Sequence, residues 1–144
     1  MKKSQLINIR TPTIYGPNET IRAHTPSGFL NIYLDGGEVT LWGDGSEMRE
    51  FIYVDDVVKI INLLISTNFS GAINIGTGMG YSYKYSLDII SKKLKKKLVI
   101  NSKKRTKKKV DKIVDGSLFN ELFPKFKYTS LETGLDNILK SMNE

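Results

Sequence analysis

Short apolar runs alternate with longer amphipathic stretches along this chain. The short runs are rich in β-branched and aromatic residues and predict strands at Leu6–Ile9, Glu38–Trp42, Arg49–Val54, Ala72–Ile75, Leu98–Ile100 and Val110–Val114. The longer stretches predict helices over about 26–34, from Asp55 or Asp56 to about Ser66, from Ser82 through Leu94, from Asp115 to near Pro124, and after Thr129. Because strands alternate with helices, the pattern indicates an α/β fold with a small, open-sided parallel sheet and flanking helices.

Glycines and small polar residues mark where these elements turn and begin. Gly43-Asp44-Gly45 predicts a tight turn with positive φ angles. Asp55 or Asp56 is expected to cap the second helix, although two adjacent carboxylates could also serve acid/base chemistry. The run Thr129-Ser130-Leu131-Glu132 predicts a capping box for the last helix.

Composition narrows the class of protein. The 144 residues suffice for one core, and the absence of cysteine excludes disulfides and thiolate metal sites. With His24 as its single histidine, the chain is not expected to hold a metal. No apolar run reaches the length of a membrane span, and no hydrophobic segment follows the basic start. We therefore expect a cytoplasmic protein with no membrane partner.

Positive charge is concentrated in one segment. Between Lys92 and Lys112 there are eleven lysines and Arg105, with Asp111 as the one acidic residue. Such a block could bind nucleic acid. However, the chain has 18 lysines against 4 arginines, and no aromatic residue lies within the block to stack on a base. A solvated surface is the better interpretation, and a nucleic-acid partner is not expected.

Two residues near the glycine turn could bind a ligand. Arg49 lies at the start of a predicted strand, where a guanidinium could clamp a diphosphate through two hydrogen bonds. The chemistry equally allows a surface ion pair with Glu47 or Glu50. Trp42 could stack on a nucleobase, or could simply pack at a strand end.

Four motifs carry a resemblance to a known family. They are Arg10-Thr11-Pro12-Thr13-Ile14-Tyr15-Gly16-Pro17, the run from Gly43 through Arg49-Glu50-Phe51-Ile52-Tyr53-Val54-Asp55-Asp56, Asn74-Ile75-Gly76-Thr77-Gly78, and Ser130-Leu131-Glu132-Thr133-Gly134-Leu135. From Ile7 to about Leu139 the chain resembles the C-terminal, substrate-binding part of extended short-chain dehydrogenases/reductases, the NAD-dependent epimerase/dehydratase family. These Rossmann-type enzymes act on nucleotide sugars in carbohydrate biosynthesis. The resemblance implies that residues 1–144 form a single substrate-binding domain.

The resemblance also implies a substrate site. It assigns Arg49 to the diphosphate of a nucleotide sugar. Thr13 stands where the family usually has an asparagine beside the sugar phosphate, so a hydroxyl replaces an amide there. Lys103 and Arg105 lie where a second cation often reaches the diphosphate, although a solvated loop is equally compatible. Trp42 and its neighbours are most similar to the GDP-sugar branch, notably GDP-fucose synthase.

The family's catalytic and cofactor motifs are not in this sequence. No tyrosine is followed four residues later by lysine, and no glycine fingerprint for a dinucleotide is present. We therefore expect no catalytic or cofactor-binding residue here, and NAD or NADP on a missing N-terminal Rossmann half that could be separately encoded. The lone chain should not transfer hydride, and it should self-associate because its first strand would lack neighbours. Alternatives are a non-enzymatic remnant, a nucleotide-sugar-binding module, or a lysine-rich nucleic-acid-binding protein.

Overall fold

The part of the chain that the structure describes forms eight short strands and five helices. A computed structural model describes residues 5–20 and 24–143. The strands are β1 (Ile7–Arg10), β2 (Thr13–Tyr15), β3 (Val39–Trp42), β4 (Met48–Arg49), β5 (Phe51–Tyr53), β6 (Gly71–Asn74), β7 (Tyr81–Ser82) and β8 (Ile100–Lys103). The helices are α1 (Pro26–Leu34), α2 (Val54–Ile65), α3 (Tyr83–Leu94), α4 (Ser117–Leu122) and α5 (Leu131–Ser141).

The strands pair two by two. The pairs β1–β6, β2–β5 and β3–β8 are parallel, whereas β4–β7 is antiparallel. Helices connect and cover these pairs, so the predicted α/β fold with few short strands is confirmed. Within the described residues, no helix has the length and apolar character needed to cross a bilayer.

Two apolar clusters form the core. The larger lies among α1, α3, α5 and the strands β2, β3 and β5, and its fully buried members include Phe29, Leu87 and Leu135. The smaller lies among α2, β6 and α4, and it includes Ile60, Leu64, Ile73, Ile75 and Phe119. The stripes of apolar residues that predicted the helices face these two clusters.

Several predicted boundaries are confirmed. Helix α1 spans the predicted residues, with the Thr25 hydroxyl accepting from the Gly28 amide at 2.9 Å. Ser82 caps α3 by accepting from the Tyr85 amide at 3.0 Å. The turn between β3 and β4 has φ of 68° at Gly43 and 73° at Gly45, the left-handed region that glycine occupies without strain.

The predicted helix caps were wrong at two places. Helix α2 begins at Val54, so Asp55 and Asp56 lie inside its first turn and neither caps it. Asp56 is buried, and its carboxylate instead accepts from the Thr129 amide and hydroxyl. In α5 the cap is Ser130, one residue after the predicted Thr129. Glu132 does not close a capping box but accepts from the Tyr85 hydroxyl at 3.2 Å.

The predicted strand Val110–Val114 is irregular in the structure. Its one strand-like pairing is a bridge between Arg49 and Lys112. The Lys112 amide donates to the Met48 carbonyl and its carbonyl accepts from the Glu50 amide, both at 3.0 Å. Two other predicted strands also differ from the structure. The strand expected over 49–54 divides at Glu50 into β4 and β5, and the strand expected at Leu98–Ile100 begins only at Ile100.

Candidate functional site

Arg49 lies at the end of β4 and is held from several sides. Its Nη1 donates to the carbonyl oxygens of Met48 at 2.8 Å and Val110 at 2.5 Å. Its Nη2 forms an ion pair with Glu47, and the guanidinium carbon lies 5.5 Å from the centre of the Tyr83 ring. Only 16% of the side chain is exposed. The guanidinium is therefore fixed in place while still bordering solvent.

Arg105 approaches the same place from the segment after β8. Its Nη2 donates to the Trp42 carbonyl at 3.0 Å. Its Nε lies 3.2 Å from the position that a Cβ at residue 43 would occupy. Gly43 thus permits both the turn and the close approach of this second guanidinium.

Glu47 joins the two arginines. One carboxylate oxygen pairs with Arg49 Nη2, and the other accepts from Arg105 Nη1 at 3.2 Å. Burial on its own would raise the pKa of this carboxyl, but the hydrogen bonds and charges of Arg49 and Arg105 outweigh it and lower the pKa. Glu47 is therefore an ionised bridge between two guanidinium groups.

These residues line a cleft of about 490 Å³, which falls within the size range of small-molecule sites. Trp42 is also in the lining, and 48% of the residue is exposed. The lining contains five cationic side chains and one acidic side chain, Glu47. The complete set is Trp42, Glu47, Arg49, Arg105, Thr106, Lys107, Lys108, Val110 and Lys112.

A smaller cleft of about 290 Å³ adjoins the first. Thr13 lies in its lining, and its backbone amide donates to the Glu50 carbonyl at 3.3 Å. Arg49 and Lys112 belong to the linings of both clefts. Arg49 therefore stands between the cleft on the Trp42 side and the cleft on the Thr13 side, and we call these two neighbouring clefts together the groove.

Lys103 lies beside Trp42 but outside both clefts. It is the last residue of β8, is exposed, and stands opposite Trp42 in the β3–β8 register. Its carbonyl accepts from the Gly43 amide at 2.8 Å. Lys103 is in the lining of neither cleft. Of the five residues predicted from the sequence, the structure brings together Trp42, Arg49 and Arg105, with Thr13 next to them.

Glu50 is a buried residue beside the smaller cleft, and it fixes the backbone around that cleft. It is 2% exposed, and its carboxylate accepts from the Thr77 hydroxyl and Gly78 amide at 3.0 Å each and from the Val114 amide at 2.6 Å. A buried carboxylate with three donors is well satisfied. Glu50 does not pair with Arg49; it fastens the glycine loop and the segment before α4 to the end of β4.

Sequence comparison decides the family. The sequence model of the NAD dependent epimerase/dehydratase family matches residues 1–76. The chain belongs to this family.

Solved structures of several nucleotide-sugar enzymes share the fold. UDP-glucose 4-epimerase from Thermotoga maritima, solved with UDP-glucose, is 27% identical with a TM-score of 0.81, and the alignment covers 96% of this chain and 47% of that one. UDP-glucuronic acid 4-epimerase from Bacillus cereus, in complex with UDP-glucuronic acid and NAD, is 24% identical with a TM-score of 0.77, covering 93% and 45%. dTDP-glucose 4,6-dehydratase from Streptomyces venezuelae, with NAD bound, is 23% identical with a TM-score of 0.79, covering 95% and 43%. The chain thus spans less than half the length of these enzymes.

The glycine-rich loop after β6 does not offer a free set of amide groups for the phosphates of a dinucleotide. This loop has the position of a phosphate loop, but two of its amide groups already have acceptors within the chain. The Gly78 amide donates to Glu50, and the Met79 amide donates to the Thr77 hydroxyl at 3.0 Å.

Among the residues that the structure describes, no three acidic or histidine side chains converge as metal ligands.

Sequence reasoning missed the central position of Glu47 and the contribution of three lysines. The sequence presents Glu47 only as a surface partner of Arg49, and Lys107, Lys108 and Lys112 only as members of a basic block. The spacing of Glu47 two residues before Arg49 was the signal in the sequence for the ion pair between these two residues. Nothing in the sequence indicated that Arg105 would reach the same carboxylate from 58 residues away.

Proposed function

We propose that this chain binds a nucleotide-diphosphate sugar in the groove and forms the substrate-binding, C-terminal part of a nucleotide-sugar epimerase, dehydratase or reductase. One observation carries the proposal: the guanidinium groups of Arg49 and Arg105 converge within one cleft. Two fixed guanidiniums offer the paired donors that phosphate oxygens prefer. The half-exposed Trp42 lines the same cleft, where its indole could stack on a base.

The groove suggests an orientation for the ligand. Arg49 stands between the two clefts, so a diphosphate at Arg49 would direct its two substituents into different clefts. The base would lie toward Trp42 and the sugar toward Thr13. The Thr13 hydroxyl can both donate and accept a hydrogen bond to a sugar or phosphate oxygen.

The redox chemistry is proposed to come from residues outside this sequence. NAD or NADP, together with the tyrosine–lysine pair that moves protons in the family, would be supplied by a Rossmann half on the same or another polypeptide. In that arrangement the residues described here bind and orient the substrate, and they carry no hydride or proton step. A binding module without chemistry is the second candidate, because the same groove would serve it equally well.

Calorimetric titration of the 144-residue chain tests the proposal. UDP- and GDP-sugars should bind, and the corresponding nucleoside monophosphates should bind at least about tenfold more weakly because they lack one phosphate. A preference for GDP-sugars would support the GDP-fucose synthase-like assignment. Absence of binding to every nucleotide sugar, together with salt-sensitive RNA binding, would favour the lysine-rich nucleic-acid-binding alternative.

A further inference from the structure

The carboxylate of Glu47 occupies the donors that the proposed diphosphate would need. Arg49 Nη2 and Arg105 Nη1 each point to a different oxygen of the same carboxylate. A planar carboxylate and a phosphate group use the same guanidinium donors. An incoming phosphate therefore competes with Glu47 for these two groups.

The three side chains share one partly enclosed environment. Their exposed fractions are 14% for Glu47, 16% for Arg49 and 23% for Arg105. Ion pairs that are partly shielded from water are screened less than fully exposed pairs. Displacing Glu47 thus has a cost that any anionic ligand must offset.

The position of Glu47 makes displacement feasible. It lies in the turn between β3 and β4, outside both strands, and its backbone contact is through its carbonyl, which accepts from the Tyr83 amide at 3.3 Å. Its side chain can rotate without breaking that hydrogen bond. Arg49 keeps its hydrogen bonds to Met48 and Val110 when Glu47 moves, so the guanidinium would remain in place.

We propose that Glu47 is an internal counter-anion that holds both arginines in position in the free protein and is displaced when the diphosphate binds, so that it sets the affinity of the site. This inference rests on the proposed function. It adds a residue that opposes ligand binding, whereas Arg49 and Arg105 favour it. With Glu47 neutralised, the cleft lining would hold five cationic side chains and no acidic one.

Glu47→Gln tests the inference because it removes the charge and keeps the shape. Inorganic pyrophosphate and UDP are the probes, titrated into the wild-type chain and the variant at the same ionic strength. We expect both probes to bind the variant roughly tenfold more tightly, because the ligand no longer has to break two charge-assisted contacts. Glu47→Ala should act in the same direction, and it serves as the second variant if Glu47→Gln does not fold.

Glu38→Gln is the matched control. Glu38 is exposed, lies just before β3 and accepts from the Asn101 side chain, away from both arginines. The control also replaces a glutamate by glutamine and therefore changes the net charge by the same amount. Because Glu38 is not paired with either arginine, both affinities should stay within about twofold of wild type. Circular dichroism and thermal melting establish that each variant is folded.

The outcomes separate this inference from the proposed function. If the wild type binds UDP and Glu47→Gln binds it equally well or more weakly, Glu47 is not a competing anion and the inference is overturned. If Glu38→Gln tightens binding as much as Glu47→Gln, the effect is one of net charge alone and the inference also fails. If no protein binds either probe, the proposed function fails and the inference falls with it.

Discussion

The buried carboxylate of Asp56 accepts two hydrogen bonds from Thr129, from the amide at 2.6 Å and from the hydroxyl at 2.9 Å. These bonds join the first turn of α2 to the segment that leads into α5, across 73 positions of sequence. Lys59 adds a contact at 3.2 Å from the solvent side. Asp56 is therefore a tertiary link between two helices.

We expect Asp56→Ala to lower the free energy of unfolding by about 2–3 kcal/mol, because it leaves the Thr129 amide without its acceptor. Asp55→Ala is the matched control, since Asp55 is the exposed neighbour in the same turn. It should change stability by less than about 0.5 kcal/mol. Urea denaturation of both variants measures the difference, and equal losses would contradict the assignment of the link to Asp56.

Close packing of Gly134 against Tyr15 gives a second prediction. A Cβ at position 134 would lie 2.8 Å from the Tyr15 ring carbon Cζ, well inside van der Waals contact. Gly134→Ala should therefore destabilise the chain by about 1–3 kcal/mol although alanine favours helices. Tyr15→Phe removes the hydroxyl, so the double variant should lose less than the sum of the single losses. Thermal melts of the wild type, the two single variants and the double variant measure these losses. Lys140→Ala, at an exposed position of α5, is the control for a substitution by alanine in the same helix. If the double variant loses the sum of the two single losses, the two residues do not clash.

The sequence predicted most helices, because apolar periodicity is a local signal, although the predicted caps of α2 and α5 were wrong. Helix α1, the cap at Ser82 and the positive-φ glycines at positions 43 and 45 all lie where they were expected. The position of Arg49 beside the glycine turn was also predictable, because the two are close together in the chain. These features depend on neighbours within a few residues.

Segments whose backbone is bonded by distant side chains could not be predicted in this way. Val110–Val114 has the composition of a strand, but carboxylates take the place of a regular ladder at both of its ends. The Asp111 carboxylate accepts from the Met48 amide at 2.8 Å, and Glu50 accepts from the Val114 amide. The bridge from Glu47 to Arg105 joins residues 58 positions apart, so local sequence signals could not predict it either.

Acid should weaken the contribution of Glu47 to stability. The pKa of this carboxyl is lowered in the folded chain, so its stabilising effect is complete above the ordinary glutamate pKa of about 4.5 and is lost as the pH falls through the lower folded value. Glu47→Gln should therefore cost about 0.5–1 kcal/mol at pH 7 and progressively less as the pH falls and the wild-type carboxyl takes up its proton. Denaturant titrations of both proteins between pH 7 and 3 give this difference. A gap that stays constant across the range would mean that ionisation of Glu47 does not stabilise the fold.

Self-association is expected at β1. Among the described residues, β1 pairs with β6 along one edge and no strand pairs with the other. Leu6, directly before β1, is 77% exposed, and an open strand edge with an apolar neighbour is a template for a second copy of the chain. Sedimentation velocity should show species larger than a monomer as the concentration rises. Leu6→Lys should reduce them, whereas Leu34→Lys, an exposed leucine on α1, should not; a monomer at every concentration would refute the expectation.

Arg49 and Arg105 should each contribute more to ligand affinity than Lys103 does. Arg49→Ala is expected to weaken nucleotide-sugar binding by about 1.5–3 kcal/mol, the usual contribution of a charge-assisted hydrogen bond. Arg49→Lys should restore only part of it, since an ammonium group cannot donate in the same paired geometry. Arg105→Ala should cost more than Lys103→Ala, because Arg105 lies in the cleft and Lys103 in neither lining. Calorimetry with one UDP-sugar ranks the affinities of the four variants. If Arg49→Ala binds the UDP-sugar as tightly as wild type, the assignment of the diphosphate to Arg49 is wrong.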